Sequence, residues 1–380
     1  MYYLSFLLGF LFFFLSLRFY KKIFNPFVMV AFPVYFALFG GTFIRRLAFD
    51  VDLNLYTDLV ILIYLGAALL GCLVCSFAIS DSRAVVFRDT YDFKPVPNIE
   101  IYLVLVVCFC VLMLMPRFLE YPFSFTGFRR FYHESRSFGG IGVYFYLLSM
   151  SVPLLVLNAI IKGNFYRAII YFFFIVFLGK KQIFLTAGLF IFVYLDLFSK
   201  KSMVNLILYM LIFSVFMIIL HTLFSTADFP LLILVANYFD YYINLTHVLN
   251  WLENNDFLFY GRIFFSSFWF LIPRVLYPSK PEQYGATLIH EHIYPSELSI
   301  GYTPGIFSTI SGPIADLGVW FMILGAFLKG VLVTLLYKYL KHRSDMLLLI
   351  LYVSIFNLVY ILLLLPLLIF NIVFGERRVP

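Results

Sequence analysis

Uninterrupted apolar runs of 16 to 28 residues, separated by short polar turns, recur from one end of the chain to the other. Ten are recognisable, roughly at 2–17, 26–44, 56–79, 99–115, 141–161, 164–179, 182–198, 203–224, 318–340 and 346–373. About 20 apolar residues at 1.5 Å rise cross a ~30 Å hydrocarbon core, so runs of this length predict transmembrane helices. Between the eighth and ninth runs, polar residues spread over about ninety positions, Ser225 to Leu317. Two half-apolar pieces there, 229–251 and 257–276, read as interfacial or re-entrant helices. The pattern predicts an all-α, polytopic helical bundle of about ten spans, one integral membrane domain over 1–380, with 225–317 as its large outward loop. No repeat or low-complexity linker divides it. Tyr2 to Leu17 lacks a basic leader and a small-residue cleavage site, so no cleaved signal peptide is expected.

Composition agrees with the pattern. Hydrophobic residues make up 63% of the chain and charged residues 12%, against ~25% charged in a soluble domain. The formal charge of +7 bears first on orientation, because Lys and Arg accumulate in cytoplasmic loops. Placing Arg18–Asn25, Ser80–Asn98, Lys162–Arg167, Ser199–Ser202 and Lys338–Asp345 in the cytoplasm gives that side 13 basic residues. The opposite side has 10 once the long loop is left out of the count, as the rule requires. This vote puts both termini and the loops 116–140 and 225–317 outside. The outward face is nevertheless rich in cations, with Arg45, Arg46, Arg117, Arg129, Arg130, Arg136, Lys180, Lys181, Arg262, Arg274 and Lys280. An anionic ligand on that side accounts for them, and a pyrophosphate suits both guanidinium forks and ammonium point charges. A nucleic-acid partner is not expected, since no aromatic-basic surface domain is present.

Three outward loops carry candidate chemistry. In the first, Arg129, Arg130, His133, Glu134 and Arg136 alternate with Phe128, Phe131, Tyr132 and Phe138. A charge run is often just a solvated face, but aromatics between cations also suit a surface that grips phosphate and stacks on sugar. In the second, Gly179-Lys180-Lys181-Gln182 joins two short helices, which would sink the lysines slightly below the membrane surface unless they snorkel to the headgroups. In the third, prolines at 273, 278 and 281 stiffen the backbone around Arg274 and Lys280. His290-Glu291-His292 follows; a His-x-His pair is short of the three or four ligands a zinc site needs. His290 and Glu291, with His133 after them, are the candidate proton acceptors, since a neutral imidazole suits that work. Glu282, Asp240 and Asp316 are competing carboxylates.

Within the apolar runs, Cys72, Cys75, Cys108 and Cys110 read as small packing residues rather than a redox or metal site. Lys329 lies mid-span, where a charge marks function, snorkelling or a polar contact within the bundle. Gly318, Gly325 and Gly330 on the same run predict close helix packing.

The long loop also carries a resemblance. Gly261-Arg262, then Phe270-Leu271-Ile272-Pro273-Arg274, Tyr277-Pro278-Ser279-Lys280-Pro281, Gly301-Tyr302-Thr303-Pro304-Gly305 and Asp316-Leu317-Gly318 together resemble the O-antigen polymerase (Wzy-type) family over about 60 residues. Family members often carry Arg or His, then ten residues, then Gly in outward loops, as Arg129 to Gly140, Arg274 to Gly285 and His290 to Gly301 do here. One departure stands out: where many relatives place an acidic residue and an aromatic before Asn-Phe-Gly, this chain has Gly312 and Ile314 before Asp316-Leu317-Gly318.

The resemblance implies a helical glycosyltransferase architecture of the C type. It implies an inverting, metal-independent polymerase without cofactor, which transfers a growing glycan from undecaprenyl pyrophosphate onto an incoming lipid-linked repeat unit. A chain-length regulator is the implied protein partner. Arg129, Arg130, Lys180, Arg262, Arg274, Lys280 and Tyr302 would bind the donor or substrate, and the cations would stabilise charge growing on the departing pyrophosphate. Three other classes are weighed, the first a structural membrane subunit, which would not need Arg129–Arg136, the Lys180-Lys181 turn and the proline-fixed Arg274 on one face. An O-antigen ligase shares the donor but usually carries a longer outward loop. A lipid-oligosaccharide flippase should show inverted repeats and broken mid-membrane helices, and no such repeat is visible.

Overall fold

The computed structural model describes residues 2–79, 96, 98–124, 127–128, 130–131, 142–177, 181–198, 202–223, 233, 236, 239–255, 258–266, 268–269, 272, 277, 279, 281, 285, 288–299, 305, 308–343, 346–354, 363–367 and 369. Among these, every regular element is helical and no strand occurs. In chain order the helices are α1 (Tyr2–Tyr20), α2 (Pro26–Arg46), α3 (Leu55–Ala78), α4 (Ile99–Phe118), α5 (Gly142–Ile161), α6 (Phe165–Phe177), α7 (Lys181–Phe198) and α8 (Met203–Leu223). They continue as α9 (Tyr241–Asn255), α10 (Arg262–Ser266), α11 (Leu288–Ile293), α12 (Pro295–Ser299), α13 (Ser308–Leu317), α14 (Val319–Arg343) and α15 (Met346–Ser354).

Six of these, α1 to α5 and α14, are long and apolar enough to cross a membrane. The sixth, seventh and eighth predicted runs are helical but yield only shorter apolar stretches, Phe165–Phe174, Ile183–Phe198 and Val204–Met217. The tenth run is helical over Met346–Ser354 and again over 363–367. Of the two pieces expected in the long loop, the first is helical as Tyr241–Asn255. Of the second, Arg262–Ser266 is α-helical among the described residues. The chain packs as two compact units, Met1–Ala84 with Ala227–Tyr337, and Val85–Thr226 with Lys338–Pro380.

In the first unit, α2 begins where Asn25 caps it, its side-chain oxygen accepting from the Val28 amide at 3.1 Å with Pro26 in the first turn. Pro33 lies inside this helix, and its ladder widens to a π turn at Phe36–Gly40. Asn54 caps α3 through the Tyr56 and Thr57 amides. Gly9 of α1 faces the Tyr35 ring, where an added Cβ would lie 2.7 Å from Cε2. The closest crossing joins α3 and α14. A Cβ on Gly71 would lie 2.1 Å from the Phe327 carbonyl oxygen, and one on Gly330 would lie 2.3 Å from that of Ala68. Cys72 donates to the Gly330 carbonyl at 3.5 Å, a packing role. The expectation of three packing glycines on α14 therefore holds for Gly330 alone. Nothing lies within 4 Å of a Cβ on Gly325 or Gly318, and Gly318, at φ +85°, serves the break between α13 and α14. Lys329, next to the crossing, is half-buried.

One end of this unit gathers the start of α1, the end of α2 and the starts of α3 and α14. Tyr2 packs edge-on against Tyr242, Arg45 donates to the Ala236 carbonyl, Tyr242 meets Asn54 and Asp58, and Phe259 and Tyr260 donate to the Ala315 and Asp316 carbonyls. At the other end Tyr20 bonds Ser76 at 2.7 Å and meets the Tyr337 ring. Arg45 and Arg46, at the end of α2, thus lie at the same end of the unit as the turn bearing Arg262.

In the second unit, α4, α5 and α7 share a core of Cys110, Leu114, Phe145, Leu148, Val152, Phe184 and Ala187. Glu100, in the first turn of α4, pairs with Lys162 at 2.8 Å and Arg167 at 2.6 Å, so the basic turn between α5 and α6 has its own carboxylate. Phe131 is buried in the same core, against Phe118, Tyr121 and Phe145, and Phe128 is buried against Phe118 and Phe123. These two aromatics were expected to stack on sugar; packing takes both instead. Arg130 between them is exposed.

Candidate functional site

The segment Tyr241–Leu317 builds a small core of its own from Val248, Phe259, Ile263, Ile289 and Ala315, sealed by Trp251, Leu252, Leu288 and Ile293. Every large side chain here belongs to a short helix or a turn, so the helices are held by packing and by polar ties rather than by length. The principal tie is Asp316. One carboxylate oxygen accepts from the Ile263 amide at 3.0 Å and the other from the Phe264 amide at 2.9 Å. A carboxylate near the end of α13 faces unfavourable carbonyl dipoles, whereas the free amides opening α10 favour it. The turn before α10 contains Tyr260 at φ +49° and Gly261 at φ +88°, and glycine suits the second. The product is a fixed presentation of Arg262, exposed at the first position of α10.

A second chain of polar contacts runs through the segment. Asp240 accepts from the Gly305 amide at 3.2 Å, and Asn244 donates to the Gly305 carbonyl at 2.8 Å. A Cβ on Gly305 would meet Asp240 Oδ1 at 2.5 Å, so the glycine ending Gly301-Tyr302-Thr303-Pro304-Gly305 is required by close approach. Tyr294 donates to Asn244 Oδ1 at 2.9 Å and lies 3.1 Å from His247 Nδ1. Below this chain, Tyr242 lies 2.8 Å from Asp58 Oδ1 and accepts from the Asn54 amide at 3.0 Å. Burial first, and then the Asp58 carboxylate, raise the Tyr242 phenol far above its ordinary range, which keeps it a hydrogen-bond donor. Thr57 and Thr246 add a 2.8 Å contact beside it.

Of the sequence-selected residues, Arg262, His290 and Glu291 fall in this segment. His290 is buried, its ring 6.1 Å from that of Tyr294, while Glu291 beside it is exposed. His290 and His292 lie two positions apart on helix α11, which turns them about 200° from each other. His292 accordingly packs on Phe259 and Trp251, away from Tyr294. The pair does not converge on one ligand position, and no His, Cys, Asp or Glu cluster of metal-binding type occurs among the described residues. Arg130 is placed in the second unit. His133, Arg129, Lys180, Arg274, Lys280, Tyr302 and Glu282 lie outside the described residues.

Arg45, Arg46 and Arg262 have no carboxylate partner among the described residues. Arg45 lies over the Phe49 ring, with its Nε buried and unpaired, and Arg46 lies over Tyr3. Arg117, also counted as an outward cation, does pair with Glu120 at 3.8 Å. A groove of about 520 Å³ opens at the same end of the first unit, lined by Tyr56, Leu249, Leu252, Glu253, Leu258, Ile314, Gly318 and Val319.

Sequence reading did not find Asn244, Tyr294 or the Asp58–Tyr242 pair. A signal existed for Asp58, the one Asp, Glu, Lys, Arg or His of the largely apolar α3. Asn244 and Tyr294 left none, since their roles depend on partners 50 and 61 residues away. No protein family, curated protein or solved structure matches the chain.

Proposed function

We propose that this chain is a membrane glycosyltransferase that polymerises undecaprenyl-pyrophosphate-linked oligosaccharide repeat units on the outer face of the bacterial inner membrane. The observation that carries the reading is the set of three cations, Arg45, Arg46 and Arg262, on one face of the first unit without a carboxylate partner among the described residues. Basic residues retained unpaired on an outward face call for an anion, and guanidinium groups suit pyrophosphate oxygens best. The Asp316 clamp adds pre-organisation, because it fixes the turn bearing Arg262 before any ligand arrives. In this reading Arg262, with Arg274, Lys280, Arg129, Arg130 and Lys180 from the sequence, stabilises the departing pyrophosphate, and Tyr302 contacts the sugar. Glu291 or His290, or His133, takes the proton from the acceptor hydroxyl. The chemistry needs no metal, since the cations carry the charge.

Variants test this in cells that depend on the chain for surface glycan. Arg262→Ala, Arg274→Ala and Arg129→Ala are each expected to shorten or abolish the glycan ladder at normal protein levels. Arg262→Lys should restore it only in part, because the ammonium keeps the charge without the planar fork. Wild-type ladders from all three alanine variants would remove pyrophosphate binding from these residues.

Orientation is tested separately. A cysteine at Ser296, on the exposed surface of α12, is expected to react with an impermeant thiol reagent from outside, and one at Ser202 is not. The reverse pattern would turn the cationic face toward the cytoplasm and end the reading.

A further inference from the structure

We propose that Tyr260, Phe264, Phe265 and Phe268 form an anchor that dips into the interfacial layer of the bilayer on the outward side. The four side chains are 75%, 65%, 75% and 66% exposed. Within the described part of 241–317, the other exposed large apolar side chains are Tyr277 and Leu317, at 45% and 42%, so the strongest exposure is concentrated on one short stretch. The stretch is also two-sided. Ile263, between the exposed residues, is buried in the core with Val248 and Phe259, which fixes α10 with its aromatic side turned away from the protein.

The depth of this face follows from its ties. Asp316, which holds the Ile263 and Phe264 amides and accepts from Tyr260 through its backbone carbonyl, lies three residues before Val319, the first residue of the membrane-crossing α14. Leu258 shares a groove with Val319 and with Tyr56, the second residue of the membrane-crossing α3. The aromatic stretch therefore starts level with the ends of two spans, where Trp320 is already 83% exposed. Aromatic side chains at that level are the usual marker of the membrane–water boundary. Continuity with the lipid-facing ends of α3 and α14 selects the bilayer as occupant over a sugar, as does the lack of hydroxyls on three of the four rings. Arg262, exposed on the same turn, then stands at headgroup depth, where a lipid-linked pyrophosphate also lies; this last consequence alone rests on the proposed donor.

The test places Phe265→Trp protein in phosphatidylcholine–phosphatidylglycerol vesicles with and without bromine near the glycerol end of the acyl chain. The added emission is read by difference from the parent protein. It is expected to be blue-shifted, to lose most of its intensity in the brominated vesicles, and to resist acrylamide. Ser296→Trp is the water-facing control and should show the opposite behaviour; Phe268→Trp replaces the first variant if that one does not accumulate. Emission insensitive to bromine would overturn the anchor in each of its forms: open to acrylamide, shielded from both quenchers, or changed only by added oligosaccharide. No catalytic activity enters the measurement, so its failure leaves the glycosyltransferase proposal standing.

Discussion

Asp316→Ala protein is expected to lose the Arg262 turn and to become protease-sensitive within 241–317. The Asp316 side chain is 1% exposed, and its two oxygens satisfy two backbone amides of α10. Removing them leaves one buried and one partly buried donor without an acceptor, a cost of roughly 1–3 kcal/mol each. Asp316→Asn keeps one acceptor but turns an NH₂ group toward an amide donor, so it should fall between wild type and Ala. Limited proteolysis of the detergent-purified protein, read by fragment mapping, decides the point. Wild-type resistance in Asp316→Ala would show that the carboxylate does not hold the turn.

The second large effect is expected at the crossing of α3 and α14. Gly71→Leu and Gly330→Leu should each prevent accumulation of folded protein, and Gly71→Ala should already lower thermal stability by about 1–3 kcal/mol, as overpacking does. The reason is that the atoms in the way are backbone: the Phe327 and Ala68 carbonyl oxygens at 2.1 and 2.3 Å from the added Cβ. No rotamer relieves such a contact, so the helices must separate. Separation would also break the Cys72 contact to the Gly330 carbonyl. Gly325→Ala is the internal control, because nothing lies within 4 Å of its Cβ and alanine favours a helix by up to ~1 kcal/mol. Melting of Gly71→Ala and Gly325→Ala in one detergent gives the comparison. Equal stability of Gly71→Ala and Gly325→Ala would mean that the two helices do not meet as described.

These two sites also mark the limit of what the sequence discloses. The spans were readable because an apolar run reports its own length. Runs placed at 26–44 and 56–79 became Pro26–Arg46 and Leu55–Ala78, whose first turns Asn25 and Asn54 cap. Partner identity was not readable. Gly71 carries no mark distinguishing it from Gly66, yet it touches a backbone more than 250 residues away while Gly66 has open space. Asp316 looked like a spare carboxylate in a family-like string, and only the fold shows both oxygens engaged by α10. His290 and His292 read as a pair in sequence, but a helix turns alternate positions to opposite sides, and packing then buried one against Tyr294. Phe128 and Phe131 looked available between arginines because burial is invisible in a charge pattern.

The central claim is that this chain joins lipid-linked repeat units without a metal. Its most direct test is reconstitution: purified protein in lipid vesicles, supplied with an undecaprenyl-pyrophosphate-linked repeat unit in the presence of EDTA, with products resolved on a gel. The account predicts a ladder of polymer and released undecaprenyl pyrophosphate, diminished by Arg262→Ala and lost when Arg274 is changed as well. Absence of polymer from active-length, correctly oriented protein, or polymer formed only when a divalent metal is restored, would contradict it.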